Sequence, residues 1–110
     1  MDDLELNALK SALGWCNPGW GLAFEDYVAQ VNGVVSSNHV DADAFISGLE
    51  SAMSDPFFEW IKLVESSGAV SREDYPEILE SEEEAREFAL TYLLPVLERQ
   101  KRRRGGGTPV

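Results

Sequence analysis

The chain has 110 residues, 44% apolar and 10% aromatic, enough to bury one core and too few for two, and that apolar share sets aside a disordered acidic chain despite a net charge of −11. All 20 acids lie in residues 1–98 against four bases, Lys10, Lys62, Arg72 and Arg86, so this body carries −16, and the five bases of residues 99–104 return the total to −11. Such a body repels nucleic acid and anionic membrane surfaces and favours a basic protein as partner; the plainer account of the charge is solubility.

In chain order, Leu6, Leu9 and Leu13, widened by Leu4, Ala8 and Ala12, predict a helix over residues 3–13 with Gly14 as its stop. Residues 14–21 hold three Gly, a Pro, Trp15 and Trp20; they must turn, yet the indoles favour folding back onto the core. Phe24, Tyr27, Val28, Val31 and Val35 follow helical spacing, with a strand over residues 31–35 as the competing reading. A loop over 36–40 leads to Asp41, an N-cap for a helix carrying Ala42, Phe45, Ile46, Leu49, Ala52 and Met53 on one face.

Ser54-Asp55-Pro56 predicts a new helix from Pro56, in which Phe57, Phe58, Trp60, Ile61, Leu63 and Val64 leave few polar positions and imply a central place. Ser66-Ser67-Gly68 ends it, and Ser71 with Asp74 opens a short helical segment over 74–79. A second capping box, Ser81 with Glu84, starts a last helix over 81–99 whose core face is Ala85, Phe88, Ala89, Tyr92, Leu93 and Val96. Pro95 predicts a kink or an ending near 91–94. The fold class is all-α: a single domain of five or six helices, with residues 1–99 as an acidic helical domain and 100–110 as a mobile, basic, Gly-rich tail.

Chemistry-bearing residues are few. The only thiol, Cys16, excludes an internal disulfide, and it lies on a different loop from the only imidazole, His39; a buried thiol and a surface imidazole account for them without catalysis. Asp41-Ala42-Asp43 begins like a calcium loop but has Ile46 where glycine belongs and Ala52 where glutamate belongs; one Cys and one His are too few for zinc. Gly19-Trp20-Gly21 runs on to Phe24 where a nucleotide fingerprint needs glycine. The expectation is therefore no enzyme, no metal and no cofactor. Met1-Asp2-Asp3 is not a secretory start and no apolar run is of membrane-spanning length, so the expected location is the cytoplasm. Thr108-Pro109-Val110 fits loosely the endings accepted by β-augmenting peptide-binding domains.

The strongest functional candidate is Glu73, Asp74, Tyr75, Glu77, Glu80, Glu82, Glu83, Glu84 and Glu87: eight carboxylates in fifteen residues, with Tyr75 among them and only Arg86 opposing. Carboxylates steer and hydrogen-bond a cationic partner, and an aromatic residue can anchor it; a solvated helix start is the alternative. The first expectation is a small acidic inhibitor, of the immunity-protein or antitoxin kind, that blocks a basic toxin or nuclease domain. The second is a helical adaptor that docks a partner, or a second copy of itself, through apolar surface such as Trp15, Trp20 or Leu94.

Overall fold

The computed structural model describes residues 1–37 and 39–106, the last three by backbone alone; Asn38 of the expected loop and the Thr108-Pro109-Val110 ending lie outside the described residues. Helices α1 (Asp3–Leu13), α2 (Phe24–Ser36), α3 (Ala42–Ser54), α4 (Trp60–Ser67) and α5 (Glu82–Gly106), with a short 3₁₀ turn at Pro18–Trp20, form one all-helical globule, and there is no strand among the described residues. Residues 31–35 are helical, with Val31 and Val35 fully buried. No helix among the described residues is long and apolar enough to cross a membrane.

The core is assembled around α5. Ala85, Ala89, Leu93, Val96 and Leu97 are buried along one face of that helix, which contacts each of the other four. Against them stand Leu9 and Leu13 of α1, Val28, Val31 and Val35 of α2, Phe45 and Leu49 of α3, and Leu63 and Val64 of α4, all at or near zero exposure. The small Ala85 and Ala89 in the first half of that face leave room for the larger side chains of its neighbours.

Two expectations about α5 are corrected. The helix does not end at Pro95: it runs on to Gly106. Proline removes one N–H, leaving the Thr91 carbonyl without its intrahelical donor, but the buried Val96, Leu97 and Gln100 beyond it hold the next turns to the core. For the same reason the last helix, expected over 81–99, does not stop at 99. Gln100 is buried, and its amide donates to Asn32 Oδ1 at 2.9 Å and Ser36 Oγ at 3.0 Å on α2; Lys101 reaches Glu50 on α3 at 2.8 Å. The basic run up to Arg103 thus continues the helix.

Two further segments expected to be helical are not. Residues 74–79 form turns, closed by Ile78 N–H to Tyr75 O and Leu79 N–H to Pro76 O; the ring of Pro76 disfavours helical backbone at Tyr75 before it. Pro56 and Phe57 lie in a turn, and α4 starts only at Trp60. The expected ends hold elsewhere: the Asp41 carboxylate accepts Ala44 N–H, the Ser81 hydroxyl accepts Glu84 N–H, and Gly68 terminates α4 with φ +79°.

Helices α1 and α3 cross so closely that a Cβ on Gly48 would stand 3.0 Å from Glu5 Cβ and 3.1 Å from Glu5 O. At the crossing the Ser47 hydroxyl donates to the Glu5 carboxylate, which also accepts Asp2 N–H. The Ser47 bond, and after it the Asp2 bond, hold the Glu5 carboxyl below its usual range. A depressed carboxyl pKa keeps this link in place at neutral pH and releases it as pH falls through the lowered value. The buried stripe of α3 is accordingly Ala44, Phe45, Gly48, Leu49 and Ala52, while Ile46 and Met53 are only partly buried.

Gly48→Ala should destabilise the protein by about 1–3 kcal/mol although alanine is the better helix former, because the atoms it meets, Glu5 Cβ and the Glu5 carbonyl, move only with the backbone of α1. Gly33→Ala, in the interior of α2 with nothing within 4 Å of the new methyl, should stabilise by about 0.5–1 kcal/mol. Chemical denaturation of the two variants beside the unmodified chain checks both signs.

Candidate functional site

The turn after α3 carries the most exposed large apolar side chain among the described residues. Asp55 Oδ1 accepts Phe57 N–H at 2.9 Å, and Asp55 O accepts Phe58 N–H at 3.2 Å, an arrangement that competes with helix at this point. It leaves Phe57 at 88% exposure, while Phe58 turns inward and meets Trp60 edge-on with centroids 4.8 Å apart. Phe57 was expected on a central helix; in the structure it projects from a turn.

Helix α4 then begins without a cap of its own, since Glu59 makes no capping bond. The missing acceptor comes from α5: Glu82 Oε2 accepts the N–H groups of Trp60 at 2.5 Å and Ile61 at 3.2 Å. One carboxylate therefore sits in the first turn of its own helix and closes the N-terminus of another, favourable to both macrodipoles. This bond fixes the distance between the 55–59 turn and the start of α5.

Between them lies an open cleft of about 600 Å³. Phe57, Phe58 and Trp60 supply aromatic surface, and Asp55, Glu59, Glu82 and Glu83 supply carboxylates, with Arg86 the only base. On the other side of Phe57 a smaller cleft of about 310 Å³ shares Asp55 and Glu59 but balances them with Lys10 and Lys62. Asp55 and Glu59 are common to both sides of the phenylalanine; Glu82, Glu83 and Arg86 belong to the larger alone, Lys10 and Lys62 to the smaller alone.

The nine residues singled out in sequence do not converge. Glu82 and Glu83 line the large cleft, whereas Asp74 and Tyr75 line a third one, of about 330 Å³, with Asn17, Glu65 and Arg72. There Asp74 accepts from Ser71, Arg72 pairs with Glu65 at 2.6 Å, and the half-buried Tyr75 packs on the core. Glu73, Glu77 and Glu80 are exposed on the consecutive turns, and Glu84 and Glu87 are exposed on α5. Among the described residues the ion pairs are Arg72 with Glu65 and Lys101 with Glu50, so none of the eight carboxylates is in one.

Asp55, Phe57 and Glu59 were missed as site residues. The signal was present: Asp-Pro is a turn opener as well as a helix start, and two adjacent phenylalanines cannot both face one core. Trp20 and Trp15 are about half exposed, and Leu94 is partly buried, so the alternative apolar surface is less open than Phe57.

Cys16 is fully buried, and burial pushes its thiol up to about 12. His39 is exposed. A thiol so protonated is a poor nucleophile at neutral pH. Among the described residues no three His, Cys, Asp or Glu side chains converge as a metal site. Comparison with protein-family models, with curated proteins and with solved structures finds no match.

Two measurements follow from these placements. Glu82→Ala should lower stability by about 0.5–2 kcal/mol through loss of the α4 cap, whereas Glu83→Ala should stay within about 0.5 kcal/mol of the unmodified chain, in thermal or denaturant unfolding. Iodoacetamide should leave Cys16 unmodified in the folded protein at mildly alkaline pH and alkylate it fully in guanidinium chloride, as read by intact mass.

Proposed function

We propose that this chain is a small acidic protein-binding inhibitor, of the immunity-protein or antitoxin kind, that covers the basic surface of a toxin or nuclease domain. The observation that carries the reading is that Glu73, Glu77, Glu80, Glu83, Glu84 and Glu87 are all exposed and none is in an ion pair among the described residues, and that Glu83 lines the same cleft as Phe57, whose side chain is 88% exposed. Carboxylates held on a helix and closely packed turns present fixed negative charge where a nuclease would bind phosphate, so the mechanism is steric cover plus phosphate mimicry. Glu82 contributes less than its neighbours because its carboxylate is engaged by α4.

The exposure of Phe57 favours one alternative, a helical adaptor docking through apolar surface. Ionic strength separates the two, because salt screens the field of exposed charges and leaves apolar contact in place.

With the basic protein that crosslinks to this chain in its own cells, reversing Glu83, Glu84 and Glu87 to Lys should slow association by about 10- to 1,000-fold at low salt and much less at high salt. An association rate unchanged by the triple reversal and by salt would overturn the inhibitor reading and leave the adaptor.

A further inference from the structure

We propose that the acidic cleft beside Phe57 is the anchoring subsite of this surface, and that it takes a partner segment in which an arginine or lysine adjoins a large apolar side chain. The inference rests on the reading above and deepens it by naming the chemistry of the contact.

The cleft, about 600 Å³, falls within the ~300–1,000 Å³ typical of ligand sites. Its composition is mixed in a specific way. Asp55, Glu59, Glu82 and Glu83 face Arg86 within it, and even with Lys10 and Lys62 of the adjoining cleft, which share Asp55 and Glu59, the surroundings of Phe57 keep a small excess of negative charge. Phe57 stands at the edge, largely uncovered by the described residues. An aliphatic or aromatic side chain gains by covering that ring, and a guanidinium gains twice, from the carboxylates and from the ring face. An anion would meet the acids, and a purely apolar segment would desolvate them without pairing them.

Charge also decides against a second copy as occupant. A two-fold contact through Phe57 would bring the same acid-lined clefts face to face, between chains of net charge −11 each. The chain's own basic run cannot serve either: it lies near the far end of the same 25-residue helix that starts at the cleft, ~25–33 Å away along the axis.

The test uses the full chain, immobilised, and a displayed library of random peptides. Selection should enrich peptides carrying Arg or Lys beside Leu, Phe, Trp or Met. Their affinity should fall about 30-fold or more in Phe57→Ala, and at least comparably in the double variant Asp55→Lys with Glu59→Lys, with circular dichroism unchanged. Glu84→Lys with Glu87→Lys, outside the cleft, should cost only a few-fold. Basic peptides lost on the Glu84 and Glu87 reversal but kept on the cleft variants would overturn the cleft while leaving the acidic reading standing. Enriched peptides without basic residues would overturn both, and so would the absence of any enrichment. A sedimenting dimer of the unmodified chain that Phe57→Ala dissolves would overturn the cleft in favour of a second copy.

Discussion

The molecule hangs on the apolar stripe of α5. Each of the other four helices touches it, and the stripe continues past Pro95 to Gln100, whose buried amide is satisfied by Asn32 and Ser36 of α2. Packing of this length outweighs the single hydrogen bond that proline removes, which is why the chain does not break there. It also draws the basic residues after Arg99 into the body of the protein, as far as the Lys101 contact with Glu50.

The same helix sets the charge pattern. With one face buried, residues at the start of α5 can only point sideways or outward. Glu82 points sideways and caps α4; Glu83, Glu84 and Glu87 point outward and remain unpaired among the described residues. A helix start is served by one or two carboxylates, and the dipole term falls off within the first turn, so the acids beyond it add little to folding. Their cost is mutual repulsion, and the proposed inhibitor role gives that cost a use, since a cationic partner would relieve it.

The α4 cap and the 55–59 turn act together. Because Glu82 reaches the N–H groups of Trp60 and Ile61, α4 can begin there, and the preceding residues are free to form the Asp55 turn. Phe57 is then carried on a short bridge between two anchored elements, α3 and α4. An aromatic side chain presented from such a bridge loses little conformational freedom on being covered, the property that makes a good anchor.

Much of this was legible in sequence. Period and capping chemistry are local, so the helices at residues 3–13 and from Asp41 onward, the Ser81 capping box and the Gly68 stop could be read from spacing and residue type alone. The acidic character of residues 73–87 was equally plain. What the sequence could not supply were contacts between residues far apart in the chain: the Glu82 cap on Trp60, the Gln100 bonds to α2, the close approach of Gly48 to Glu5. Those contacts decided that Pro95 lies inside a helix, that the basic run is structured, and that the nine candidate residues divide among separate surfaces. Local preferences differ by only about 1 kcal/mol per residue, and tertiary burial and cross-helix hydrogen bonds are larger than that wherever the two disagree.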